Sequence, residues 1–172
     1  MDHFYEDVYG FSGVDLFALY KKMVSRFGSG SHFVEVGAFL GRSAVFMAVE
    51  IINSVKNIKF DCIDHWEGSE EHNDNDKVNL ETLYEDFLEN IKPVKGAVNP
   101  VRAHSIDAAE LYKPNSLDFV FIDASHDEES VKEDLLHWMP RVKKNGVIAG
   151  DDINNEGVAN AVKWFFNSEK LD

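Results

Sequence analysis

The chain has almost no cysteine. Cys62 stands alone among 172 residues, so no intramolecular disulfide can form. It lies in the apolar run Phe60 to Ile63 and reads as a small core residue rather than a nucleophile. Basic residues are also scarce, with 17 Lys and Arg against 31 Asp and Glu, a net charge of -14 and a pI near 4.8. Such a field repels phosphate backbones and argues against nucleic acid as a partner. It leaves room for a small substrate or for a metal held by carboxylates. No apolar stretch approaches the roughly 20 residues of a membrane span. The first residues, Met1 to Asp7, lack a basic segment followed by an apolar one, so no signal peptide is read there. The expectation is a cytoplasmic protein with no membrane partner. There is no internal repeat and no low-complexity segment, and the length suits one domain over residues 1–172.

What the chain does have is alternation. Apolar residues at helical spacing over 14–27 precede the break Gly28-Ser29-Gly30-Ser31. His32 to Val36 then reads as a first strand and Ser43 to Val55 as a long apolar helix. Ile58 to Ile63 predicts a second strand, Leu80 to Ile91 a helix, and Asn99 to Ala103 a third strand. Leu117 to Ile122 is nearly continuous in apolar residues, as a central parallel strand requires. Ser130 to Met139 predicts a helix, Gly146 to Ala149 a fifth strand, and Gly157 to Phe166 a last helix. The pattern argues for an α/β, Rossmann-like, doubly wound and mainly parallel sheet. Right-handed crossovers would bring the C-terminal end of every strand to one rim. The polar stretch Glu67 to Lys77, with Glu70, Glu71, His72, Asp74 and Asp76, reads equally as a lid or as a solvated excursion.

The rim carries the chemistry. The first strand runs into Glu35-Val36-Gly37-Ala38-Phe39-Leu40-Gly41-Arg42-Ser43, a turn whose two glycines lie four apart before a helix start. Gly37 permits tight backbone approach and Gly41 lets a helix N-terminus present free N–H groups. The dinucleotide fingerprint is missing its second glycine, because Phe39 stands there, and this weakens an NAD reading. Glu35, two before the first glycine, suits a cationic or amino-bearing ligand. Asp64 ends the second strand, roughly 20 residues after the turn, where a carboxylate can accept both ribose hydroxyls of a nucleoside. Asp123, Asp151 and Asp152 end the fourth and fifth strands, and clustered hard oxygen ligands suit Mg²⁺. His126, three after Asp123, has an unperturbed pKa suited to a general base. A histidine that only ties down the loop is the competing reading.

Taken together, Phe33 to Ala44, Asp64-His65-Trp66-Glu67-Gly68, Phe121 to His126 and Gly150-Asp151-Asp152 resemble a class I S-adenosylmethionine-dependent methyltransferase over roughly residues 10–166. Within that superfamily the likeness is to metal-dependent small-molecule O-methyltransferases of the macrocin and mycinamicin sugar type. The resemblance implies that Glu35, Gly37, Ala38, Phe39, Gly41 and Ser43 surround the amino acid end of S-adenosylmethionine. It places Asp64 on the ribose with His65 beside it, and His104 or Ser105, or Asp107 nearby, on the adenine. It implies that Asp123 also faces the cofactor and that Asp123, Asp151 and Asp152 bind the metal. Asp123 and His126 would serve the reaction, transfer of a methyl group to a sugar-like hydroxyl. An Asn/Asp-Pro-Pro-aromatic motif, the mark of nucleic acid methylation, is absent after the fourth strand.

The resemblance departs at the end. Two further strands are expected in that superfamily, and none is read after Phe166. The sheet is therefore expected to lack them, with a strand edge that a homodimer could cover. The alternative function is a non-catalytic module or subunit that holds the cofactor.

Overall fold

The computed structural model describes residues 1–68 and 78–168. Most of the polar 67–77 stretch thus lies outside the described residues, as do residues 169–172. Five strands, β1 (His32–Val36), β2 (Lys59–Asp64), β3 (Asn99–Arg102), β4 (Leu117–Ile122) and β5 (Val142–Gly150), form one sheet in the order β3-β2-β1-β4-β5. All four pairings are parallel. The chain enters the sheet at its centre, winds outward through β2 to β3, then returns past β1 to β4 and β5. The winding reverses between β1 and β4, and in open α/β sheets that switch point opens a crevice at the strand ends.

Among the described residues six α-helices cover the sheet: α1 (Val14–Arg26), α2 (Arg42–Ser54), α3 (Leu83–Asn90), α4 (Ser105–Ala109), α5 (Glu128–Trp138) and α6 (Glu156–Ser168). α1 buries Leu16, Phe17, Tyr20, Met23 and Val24, the stripe its periodicity announced, and places Arg26 in the last turn, where it complements the helix dipole. α2 is buried almost all round, from Ala44 to Val49 and at Ile51, because it lies against both sheet and α1.

Strand alternation divides the core. Phe33, Phe60, Cys62, Phe119 and Phe121 join α1, α2 and α3 on one face. Val34, Val36, Ile63 and Val120 join α4 and Trp138 on the other, and a smaller cluster seals α5 to α6. Each large apolar side chain so buried contributes about 1.5–3 kcal/mol. Cys62 is fully buried, as a core residue. β5 starts four residues before the predicted Gly146. Its exposed first half, Lys144 and Asn145, has no apolar signature, and an irregularity in register between Leu117 and Phe119 separates the two halves. α4 was missed because five residues are too few to show a helical period. No helix among the described residues is long and apolar enough to cross a membrane.

Candidate active site

The β1–α2 turn is held in conformations few residues tolerate. Gly37, Phe39 and Gly41 have φ of 91°, 47° and 88°. A Cβ on Gly37 would stand 1.9 Å from the carbonyl oxygen of Asp123, so this glycine lets the β1 and β4 loops meet as well as leaving room for a ligand. Asp64 organises the turn. Its Oδ2 accepts the Phe39 N–H at 2.9 Å and its Oδ1 accepts the Trp66 N–H at 2.7 Å, while the buried Trp66 indole donates to the Phe39 carbonyl at 2.8 Å. A carboxylate has about four acceptor sites, so Asp64 keeps capacity for ribose hydroxyls.

Glu35 lies on the α1–α2 face of the sheet and is 1% exposed. Ser43, in the first turn of α2, donates to its Oε1, whereas no hydrogen bond of good geometry reaches Oε2. Burial pushes the carboxyl up to about 8, against the lowering pull of the Ser43 and Tyr20 hydroxyls. Ser43 and Ala38 line the cleft above it.

On the far side of Asp64, the rings of His65 and His104 lie 4.9 Å apart, tilted by 35°. Both line the cleft, and so does Ser105. The Ser105 hydroxyl is already committed: it donates to Asp134 Oδ1 and accepts the Trp138 indole N–H at 2.9 Å. Asp107 is exposed and does not line the cleft. Ala103 and Ile106, which sequence reasoning passed over, supply apolar wall there. Asp134 was missed too. Burial pushes its carboxyl up to about 6, against the hydrogen bond from Ser105. Its position on the apolar stripe of Val131, Leu135 and Trp138 was the available clue.

At the ends of β4 and β5, one donor atom from each of Asp123, His126 and Asp152 lies within 4.8 Å of the other two. His126 Nε2 is 2.8 Å from Asp152 Oδ2 and 3.9 Å from Asp123 Oδ1. Burial pushes the Asp123 carboxyl up to about 6, reinforced by the charges of Asp151 and Asp152 and opposed by His126. Asp151 lines the same cleft but stands outside the set of three, and its Oδ1 accepts the Asp152 N–H at 2.9 Å. Asp152, at φ 55°, is the member turned toward His126.

The β1–α2 turn, Asp64, His65, His104, Ser105 and the Asp123–His126–Asp152 cluster border one cleft of about 850 Å³, whereas buried Glu35 does not line it. A family model for a methyltransferase domain matches residues 34–153, well over half the chain. The chain belongs to that family. The methyltransferase domain therefore uses S-adenosylmethionine as its methyl donor, and the cleft has the dimensions for a nucleoside cofactor with a neighbouring small molecule. Solved structures agree on the fold. The O-methyltransferase NovP is 15% identical, with a TM-score of 0.70 over 92% of this chain and 74% of NovP. A precorrin-6y C5,15-methyltransferase from Geobacter metallireducens is 15% identical, with a TM-score of 0.66 over 94% and 76%. A SAM-dependent O-methyltransferase from Thermotoga maritima is 12% identical, with a TM-score of 0.65 over 94% and 52%. One wall of the domain's cleft had no sequence signal. Gly10 to Gly13 line it from the N-terminal segment, which Arg42 tethers by donating to the Val8 carbonyl at 3.0 Å.

Proposed function

We propose that this methyltransferase domain methylates a hydroxyl of a small, sugar-like molecule, assisted by a divalent cation such as Mg²⁺. The observation that carries the reading is the meeting of Asp123, His126 and Asp152 on the rim of the same cleft that Asp64 and the β1–α2 turn border. The likeness to sugar O-methyltransferases read in the sequence supports the acceptor class, and the net charge of -14 speaks against a nucleic acid acceptor.

The residues fit the cofactor. Asp64 retains acceptor capacity, the Gly37 turn leaves no side chain between β1 and β4, and Glu35 keeps a buried oxygen without a well-formed hydrogen bond. They fit a cation as well, since the Asp123 and Asp152 carboxylates meet on the rim with Asp151 beside them, and His126 at the same place serves as base. A bound cation would supply Lewis-acid polarisation of the acceptor hydroxyl, held by Asp123 and Asp152. S-adenosylmethionine supplies an electrophilic methyl group on its sulfonium.

The chain's own part is positioning and proton transfer. His126 receives the hydroxyl proton, and Asp152, whose Oδ2 lies 2.8 Å from the ring Nε2, stabilises the resulting imidazolium. With the cofactor bound, the acceptor oxygen would take the methyl group while the electron pair of the broken carbon–sulfur bond stayed on sulfur. Asp123 orients the acceptor from the β4 side.

The first test is calorimetric titration with S-adenosylhomocysteine, in the wild type and in Asp64→Ala. Saturable binding weakened about tenfold or more in the variant supports the reading, the scale expected when a hydrogen-bonding anchor is lost. An acceptor screen with and without EDTA then asks for the cation. Undiminished turnover in EDTA would remove the cation and leave His126 as base. Cofactor binding without turnover on any acceptor would make the domain a binding module.

A further inference from the structure

A second cavity, of about 260 Å³, lies behind the reactive rim. Its walls are Val131 and Leu135 of α5, Ile148 of β5, and Val158, Val162 and Phe166 of α6. Asp123, His126 and Asp151 line it too, and they also border the main cleft. The two spaces therefore adjoin at Asp123 and His126, the residues assigned to the acceptor hydroxyl. Two large apolar side chains of this chamber stay in water, Ile153 at 58% and Phe166 at 48% exposed. Walls of this kind give a water few hydrogen-bond partners, so an apolar group gains by entering.

We infer that the chamber is an acceptor subsite for an apolar substituent, a ring or short alkyl branch, of the molecule whose hydroxyl sits at Asp123 and His126. This rests on the function proposed above and narrows it. The acceptor is amphiphilic, with a hydroxylated part in the open cleft and an apolar part between α5 and α6. Size limits the apolar part: a dry cavity of about 150 Å³ holds benzene, so this one suits a six-membered ring with roughly three further carbons. A free, fully hydroxylated sugar would leave its hydroxyls unpaired there and is disfavoured inside the chamber.

The test uses 4-propylphenol as the apolar probe and methyl glucoside as the polar control, added to the whole chain saturated with S-adenosylhomocysteine. Methyl-labelled NMR reads where each binds. The expected result is movement of the Val131, Leu135, Ile148, Val158 and Val162 methyl signals with the phenol and none with the glucoside. Val158→Phe fills the chamber and should weaken phenol binding about tenfold or more, while S-adenosylhomocysteine affinity stays within about twofold. Should that variant fail to fold, Phe166→Ala trims a half-exposed wall instead, and the preference should move from 4-propylphenol toward 4-pentylphenol by about fivefold. Still methyl signals up to the solubility limit overturn the subsite, as does an unchanged affinity in Val158→Phe or an unchanged chain-length preference in Phe166→Ala. Failure of S-adenosylhomocysteine to bind strikes the methyltransferase reading separately, and methyl shifts with the phenol would then still support the chamber.

Discussion

The two ends of the parallel sheet use the same residue types to opposite effect. Near the N-terminal ends of the strands, Asp61 accepts hydrogen bonds from His32 Nε2 at 2.7 Å, the Tyr112 hydroxyl at 2.7 Å and Asn99 Nδ2 at 2.9 Å. Burial alone would raise its pKa, but these donors outweigh it and hold the carboxyl below its ordinary value. Asp118 is served alike by the His32 N–H at 2.9 Å and Lys143 Nζ at 2.8 Å. At the C-terminal ends, Asp123 is half-buried with Asp151 and Asp152 as neighbours and is pushed up to about 6. Glu35, deep beneath that rim, is pushed up to about 8. Carboxyls of similar intrinsic acidity are thus driven apart by what surrounds them: donors at one end, apolar burial and like charge at the other. One end is satisfied and stabilises the fold. The other is left with unmet electrostatic demand that a cofactor, cation or substrate can answer.

Breaking the satisfied end should give the largest change in stability. Asp61→Ala strands three donors at once and is expected to cost about 3 kcal/mol in urea unfolding at pH 7, with the folded protein binding S-adenosylhomocysteine as before. A loss under about 1 kcal/mol would abolish the contrast between the two ends. The matching change at the other end is Asp123→Ala. Because the folded-state pKa of Asp123 is raised, its stabilising contribution is present below its ordinary value of 3.8 and is lost as pH rises through about 6. At pH 8 the variant should therefore unfold no more easily than wild type, while turnover on any competent acceptor falls about a hundredfold or more. Parallel denaturation and rate measurements on the same preparation check both halves.

Glu35→Gln sharpens the comparison more gently. The raised pKa means that Glu35 erodes stability between its ordinary value of 4.5 and about 8 as pH increases. The variant should flatten the stability–pH curve over that window and gain on the order of 2 kcal/mol at pH 9, since Gln can still accept from Ser43. A denaturation series from pH 5 to pH 9 that shows the same slope in both proteins would place the unmet demand elsewhere.

Much of this was legible along the chain because strand ends announce themselves. An apolar run that stops at Gly37, Asp64, Asp123 or Gly150 marks a rim position, and both Asp64 and Asp123 stand on the cleft. Other features carried no local mark. Asp151 and Asp152 are alike in sequence, and only the left-handed backbone at Asp152 turns it to His126 while Asp151 folds back on its neighbour's N–H. Ser105 looked free to touch a ligand, yet Asp134 and Trp138, some thirty residues on, occupy its hydroxyl. The apolar chamber between α5 and α6 was equally hidden, since periodicity tells which face of a helix is buried but not how completely two buried faces fill the space between them.

The order of elements, the parallel sheet and the gathering of strand ends on one rim follow from the sequence by itself, because periodicity and chain connectivity are local properties. The tertiary structure decided what those ends do to one another. The order β3-β2-β1-β4-β5 brings the turn after β1 against Asp123, and the β4–β5 register brings Asp152 to His126. Proton affinity, unlike strand formation, depends on distances between residues far apart in the chain. Only the packed fold sets those distances.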